Sequence, residues 1–295
     1  MLSPAAMRAS NAATWVGSSV GRGRVVSGIG ENLYLAPMTS SAQPPVPEGT
    51  VRTAIADGIG TVEFAHPKGN SLPAKLLVEL AEAITAVGAD PAARVIVLRS
   101  AGSSTFCAGA SFDEFLAVSS PEQGQAFFSG FSKVIQAMIR APKFVLTRVQ
   151  GQAAGGALGL IAASDYSIAV RTARAKLSEL QVGIGPFVVG VVIERKLGLA
   201  SFMHLGVHAD WHDAEWCERH GLYAMLVDDV EALDAAVTAH AARLAASNPE
   251  AMREMKRVFW AGTEDWGERM AERAGMSGRM VLSEFTSQAL SRFRG

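Results

Sequence analysis

From Val51 to His66, apolar and polar residues alternate in two short runs on either side of Asp57-Gly58. Alternation sends successive side chains to opposite faces of a strand, and Asp-Gly tolerates the positive φ of a tight turn, so the segment predicts a β-hairpin. His66-Pro67 ends the second run. In LPAKLLVELAEAITAVGA (72–89) the apolar residues then return at the period of a helix with one buried face. Farther along, VIVLRS (95–100), FVLTRV (144–149) and DYSIAV (165–170) read as strands, 121–140 as a helical region and 156–164 as a short buried helix. The last hundred residues are mostly helical, with one helix near 231–246 and a break at Asn248-Pro249, where proline suits the first turn of the next helix. This strand–strand–helix recurrence predicts an α/β fold. It does not predict a doubly wound nucleotide domain, because no GxGxxG or GxxxxGK[ST] follows any strand.

Two glycine-containing segments follow two of those strands: FCAGASF (106–112) after 95–100, and QGQAAGGALG (150–159) after 144–149. Read singly, each is a strand-to-helix turn whose glycines serve packing. Read together, they can present the backbone N–H groups of Ala110 and Gly156 to one oxygen atom. Gly155 and Gly156 lack a Cβ and admit close approach of a ligand. ALGLIAAS (157–164) would aim the free N–H groups and positive end of a helix at an anion. That is the anatomy of an oxyanion hole and points to an enolate or a tetrahedral anion.

The pair of segments resembles the crotonase (enoyl-CoA hydratase/isomerase) superfamily, and the likeness runs from about Gly49 to Arg294. The resemblance implies a spiral of strand–strand–helix repeats over 48–200, and a C-terminal helical region over 201–295 that completes homotrimers or dimers of trimers. It implies that Ala110 and Gly156 hold the thioester oxygen of an acyl-CoA, flanked by Ala108, Ser111, Phe112 and Gly155 as substrate-binding residues. No cofactor is implied beyond the coenzyme A of the substrate. The family's hydratases use two glutamates. The first position is here Gly159, whereas the second is Glu179, in Ser178-Glu179-Leu180-Gln181-Val182-Gly183-Ile184-Gly185-Pro186. The apolar neighbours Leu177, Leu180 and Val182 are expected to raise the pKa of Glu179 into the range useful for acid–base work. One carboxylate with an oxyanion hole suffices to move a proton between two carbons, so the resemblance implies a 3-enoyl to 2-enoyl isomerase. A 2-enoyl-CoA hydratase is the alternative, with Ser111 or Glu114 orienting the water. Asp113 stands where several members place a CoA-binding lysine, leaving Arg279, Arg292 or Arg294 to meet the phosphates. A non-catalytic acyl-CoA- or RNA-binding homologue is the reading from another class.

Composition narrows these readings. The 295 residues are 49% hydrophobic and 19% charged, enough for a sizeable core, and the net charge of −1 lacks the basic footprint of a nucleic-acid binder. Two cysteines, Cys107 and Cys217, suggest no disulfide framework, and Cys107 reads as a small packed side chain. No apolar run reaches the ~18 residues of a membrane span. Residues 1–38 carry Arg8, Arg22 and Arg24 against a single acid, Glu31. That suits a mitochondrial transit peptide, or a start placed upstream of Met38, so the expected location is cytoplasmic, or the mitochondrial matrix if 1–37 is a targeting segment. This extension and the proline-rich linker, 1–47 together, are expected to be disordered.

Several features read as structural. Asp165 is expected to cap or brace rather than catalyse; Phe127, Phe128 and Phe131 could line an acyl pocket, Phe127 and Phe131 sharing a helix face, but are expected to be ordinary core. His204, His208 and His212 recur at helical spacing. A helix-to-loop transition at Ala209-Asp210-Trp211 is expected to break that alignment, so no metal site is predicted.

Overall fold

The computed structural model describes residues 48–291, which belong to one compact unit. The readings made for 1–47, and for Arg292 and Arg294, lie outside the described residues. The hairpin forms as β1 (Thr50–Ala56) and β2 (Ile59–Ala65), with Asp57 and Gly58 both at positive φ in the turn. Helix α1 (Ala74–Ala89) follows, starting two residues later than the hydrophobic pattern suggests because Leu72 is drawn into a bridge with Ala110.

From there the chain repeats one unit. A strand of a large sheet passes into a three-residue strand of a small sheet and then into helix. The first unit comprises β3 (Val95–Ser100), β4 (Thr105–Cys107), α2 (Phe112–Ala117) and α3 (Pro121–Arg140). The second comprises β5 (Val145–Val149), β6 (Gln152–Ala154) and α4 (Gly156–Ala163). The third comprises β7 (Tyr166–Val170), β8 (Arg174–Lys176), a 3₁₀ turn (Glu179–Val182) and α5 (Phe187–Leu197). Then come α6 (Leu199–His208), β9 (His212–Asp213), α7 (Ala214–Arg219), β10 (Met225–Val227), α8 (Val230–Ala245), α9 (Pro249–Phe259), α10 (Trp266–Met280) and α11 (Glu284–Ser291).

The large sheet has the order β1-β2-β3-β5-β7-β10, antiparallel only at the hairpin, and the small one the order β4-β6-β8-β9. Helices pack against the parallel strands, and β5 is buried at every residue, Thr147 and Arg148 included. The spiral implied by the resemblance is therefore the observed architecture. The C-terminal helices are not a separate body, since α10 packs along α3 and α5.

One buried ion pair closes this arrangement. Asp165, between α4 and β7, accepts hydrogen bonds from Val145 N (2.7 Å), Trp260 Nε1 (2.9 Å) and Lys256 Nζ (2.8 Å). Lys256 also donates to the carbonyls of Met138 (2.7 Å) and Lys143 (2.8 Å), so all three ammonium hydrogens have acceptors. Asp165 is thus the brace that the sequence suggested. Removing one member of such a pair leaves a buried charge uncompensated, which typically costs about 3–5 kcal/mol. Lys256→Ala is accordingly expected to lower the urea-unfolding free energy by several kcal/mol, and a variant with an unshifted midpoint would refute the brace.

Candidate active site

Strands β3 and β5 lie side by side, and their extensions β4 and β6 pair as well, with Thr105 opposite Gln152 and Cys107 opposite Ala153. That pairing sets the residues after β4 beside those after β6. The approach is so close that a methyl group on Gly109 would lie 2.9 Å from the Ala154 carbonyl oxygen and 3.7 Å from Gly156 N. Gly109 (φ +92°) and Gly155 (φ +55°) also occupy backbone regions that side chains disfavour.

The two donors are freed by different means. Ala110 bridges Leu72 through its neighbours: Leu72 N donates to Gly109 O (2.8 Å) and Ser111 N to Leu72 O (3.3 Å). The Ala110 N–H therefore faces the other way, and Ala110 lines a cavity there. Gly156 is the first residue of α4, where a helix leaves its N–H groups without partners. Cys107 is buried behind the turn, its Sγ accepting from Gly109 N at 3.3 Å, and burial pushes its thiol up to about 12.

Glu179 reaches the same cavity from β8, which pairs with β6 so that Gly155 N donates to Lys176 O at 2.8 Å. The carboxylate packs against Gly155, since a methyl there would stand 3.3 Å from Glu179 Oε1. Gly183, at φ +82°, lets the 3₁₀ turn close, with Ile184 N donating to Glu179 O at 3.1 Å. The residue is only partly buried, yet Oε2 is sealed from solvent with no hydrogen-bond partner among the described residues. Burial raises the carboxyl pKa to about 7, against a smaller lowering by backbone hydrogen bonds at Glu179 and Ser178. Leu180, expected to contribute to that apolar setting, is 53% exposed, while Leu177 is buried and Val182 lines the cavity.

The cavity holds about 160 Å³, and Glu179 is the titratable side chain in its lining. Phe112 and Phe115 enter from α2, Phe127, Phe128 and Phe131 from α3, and Val189 from α5. Phe128 meets Phe127 edge to face at 5.0 Å, and the Phe131 ring lies under Gly156, where a methyl would come within 2.3 Å of it. The three α3 aromatics, expected as plain core, thus serve both the core and the cavity wall. Ser178 and, from α10, Ser277 also line the cavity, although no spacing or composition in the sequence singles them out.

Ala108, Ala110, Phe112, Gly155, Gly156 and Glu179 all converge on this cavity. Ser111 does not. Its Oγ caps α2 by accepting from Glu114 N (3.4 Å), and Glu114 Oε2 accepts from Ala74 N (2.7 Å) at the start of α1. Both residues border a different cavity, so neither candidate for orienting water faces Glu179. Asp113, at the expected lysine position, forms an exposed ion pair with Lys68. At Gly159 there is no room for a second carboxylate, because a Cβ would lie 2.6 Å from Val189 Cγ1 and 3.2 Å from Ile135 Cδ1. The histidines depart from expectation as well. Although the loop does begin at Ala209, helix α6 runs through His208, and β9 brings His212 back beside it.

Two strand-to-helix glycine turns and the carboxyl of Glu179 thus meet in one cavity of an α/β spiral. The family profile described as Enoyl-CoA hydratase/isomerase matches residues 54–292, and the chain belongs to that family, whose members act on acyl-CoA thioesters. A probable enoyl-CoA hydratase of Rhodobacter capsulatus is 29% identical over 215 residues, spanning 72% of this chain and 82% of that protein. Human mitochondrial methylglutaconyl-CoA hydratase is 30% identical over 199 residues, 66% of this chain but only 58% of its own length. The crystal structure of an enoyl-CoA hydratase from Bacillus halodurans shares the fold, with a TM-score of 0.77 at 20% identity over 82% of this chain and 99% of that one.

Gly159→Glu is expected to lower stability by at least the roughly 1–3 kcal/mol of an overpacked core, measured by urea unfolding. An unchanged midpoint would show that the space can open. The raised pKa of Glu179 gives a second expectation. The folded protein holds a proton there that the unfolded chain releases near 4.5, so stability falls as pH climbs from that value through about 7. Glu179→Gln escapes this loss, and its thermal advantage over the parent should be larger at pH 8 than at pH 5. Equal differences at the two pH values would contradict the burial of the carboxyl.

Proposed function

We propose that the protein is a one-base acyl-CoA isomerase, moving a 3-enoyl double bond to the 2-position. Glu179 as the single titratable group among the described residues lining the cavity carries this reading. In its ionised form Glu179 takes the proton from the carbon next to the thioester. The electron pair moves onto the thioester oxygen, which the N–H groups of Ala110 and Gly156 stabilise. The protonated carboxyl then returns the proton two carbons along, leaving the 2-enoyl product and a regenerated carboxylate. A carboxyl with a pKa of about 7 is suited to both halves of this exchange near neutrality. The aromatic wall of α2 and α3 would seat the acyl chain.

Hydration is the second reading, and the hydratase names of the relatives favour it. It requires a water positioned without a second carboxylate, for which Ser178 is the polar side chain beside Glu179. We further propose self-association as a trimer or a dimer of trimers, because α6 leaves Leu199, Met203 and Val207 exposed at 56%, 57% and 76% with helical spacing.

Assays with paired 3-enoyl-CoA and 2-enoyl-CoA substrates in deuterated water separate the readings. Isomerisation of the first without hydroxyacyl product is expected, whereas hydroxyacyl-CoA from the second would establish hydration instead. The value of kcat/KM should rise with pH through about 7 and then level off, since the base is active when ionised. Gly156→Pro deletes one donor and is expected to slow turnover about 10²–10³-fold. Gly156→Ala keeps the N–H while meeting the same Phe131 ring, so equal losses in both variants would assign the effect to packing instead.

A further inference from the structure

Away from this cavity, α6 and β9 assemble three imidazoles. His204 and His208 lie one turn apart on α6. Ala209, at φ +51°, ends the helix with its N–H donating to Leu205 O (3.1 Å). The chain then reverses and pairs with β8, His212 opposite Ala175, which sets His212 next to the helical pair. The ring centroids of His204, His208 and His212 are separated by 5.0–5.5 Å. One ring nitrogen from each falls within 4.8 Å of the others.

His212 supplies an independent pointer. Its side chain belongs to a residue only 6% exposed, and its Nδ1 lies 3.0 Å from the carbonyl oxygen of Asp210. A carbonyl can only accept, so Nδ1 carries the hydrogen and the lone pair sits on Nε2. That Nε2 is buried and has no hydrogen-bond partner among the described residues. An imidazole tied through one nitrogen to a backbone carbonyl, with the other left open, is the arrangement metal-ligating histidines adopt. Trp216 backs the group, its ring tilted against His212 at 4.3 Å and stacked on His204 at 5.4 Å.

We propose that His204, His208 and His212 form a divalent transition-metal site, suited to zinc, with solvent at the fourth position. Neutral imidazole suits zinc, nickel and copper, whereas calcium and magnesium call for oxygen ligands that this cluster does not provide. Tetrahedral zinc at ~2.0–2.1 Å from each nitrogen places the nitrogens roughly 3.4 Å apart. The exposed side chains of His204 and His208 can close that difference by rotating toward the fixed His212. Bound metal would clamp α6 to β9. It would stiffen the Ala209 turn, whose carbonyl accepts from Gln181 Nε2 (2.8 Å) of the segment that carries Glu179. The site is independent of the catalytic reading.

The test is calorimetric titration of zinc chloride into the full chain, purified without a histidine tag and stripped with chelator. One zinc per chain is expected to bind with micromolar or tighter affinity. His204→Gln, His208→Gln and His212→Gln should each weaken binding by at least about tenfold, the loss that even outer-shell partners of a metal typically cause. Failure to saturate below millimolar zinc would overturn the proposal. So would affinity unchanged in a folded His212→Gln variant, because only the exposed helical pair would then be binding. Should His212→Gln fail to fold, cobalt(II) decides on the parent protein: a tetrahedral visible spectrum with quenched Trp216 fluorescence supports the site, and an octahedral aquo-like spectrum refutes it.

Discussion

The contact between Lys256 and Asp165 joins parts of the chain that sequence separates widely. It ties α9 to the end of α3, to the start of β5 and to the link between α4 and β7. Those are the elements that position the second glycine turn. A lysine so deeply buried is stable only because each of its hydrogens finds an oxygen, and Asp165 because Trp260 and Val145 complete its shell. The C-terminal helices thereby become part of the scaffold of the site, and α10 extends the same logic by lending Ser277 to the cavity wall.

With that frame fixed, the site is made mostly of main chain. Ala110 and Gly156 contribute N–H groups, while Gly109, Gly155 and Gly183 contribute conformations that other residues adopt only with strain. The backbone at the first two of these turns is held by the pairing of β4, β6 and β8 within the small sheet. The space where a second carboxylate could stand is filled by Val189 and Ile135, so this departure from the two-glutamate pattern is built into the packing and is not a missing side chain in an open pocket.

Much of this was legible in the sequence, and the limits are physical. The hairpin, α1, β3, β5, α4 and β7 are long or regular enough for their periodicity to show. The strands β4, β6 and β8 are three residues each, shorter than any period can register, although the β4–β6 pairing sets the two glycine turns side by side. The place of Glu179, in the cavity lining, could be anticipated from its register with Gly183 and Pro186. Ser111 and Glu114 misled because a short polar residue before a helix serves equally well as a cap, and capping is where the structure uses them. Spacing alone could not reveal the histidine cluster, since His212 joins it through a chain reversal and a sheet contact rather than along the helix.

Cys107 sits two residues from Gly109 and three from Ala110, where a thioester carbonyl would rest. A thiolate there would be a competitor, able to displace coenzyme A and capture the acyl group on the protein. With the thiol pushed up to about 12 by burial, only on the order of one molecule in 10⁵ would be ionised at neutral pH. The packing that makes Cys107 a core residue thus also keeps its thiol protonated, directly beside the turn that carries Ala110.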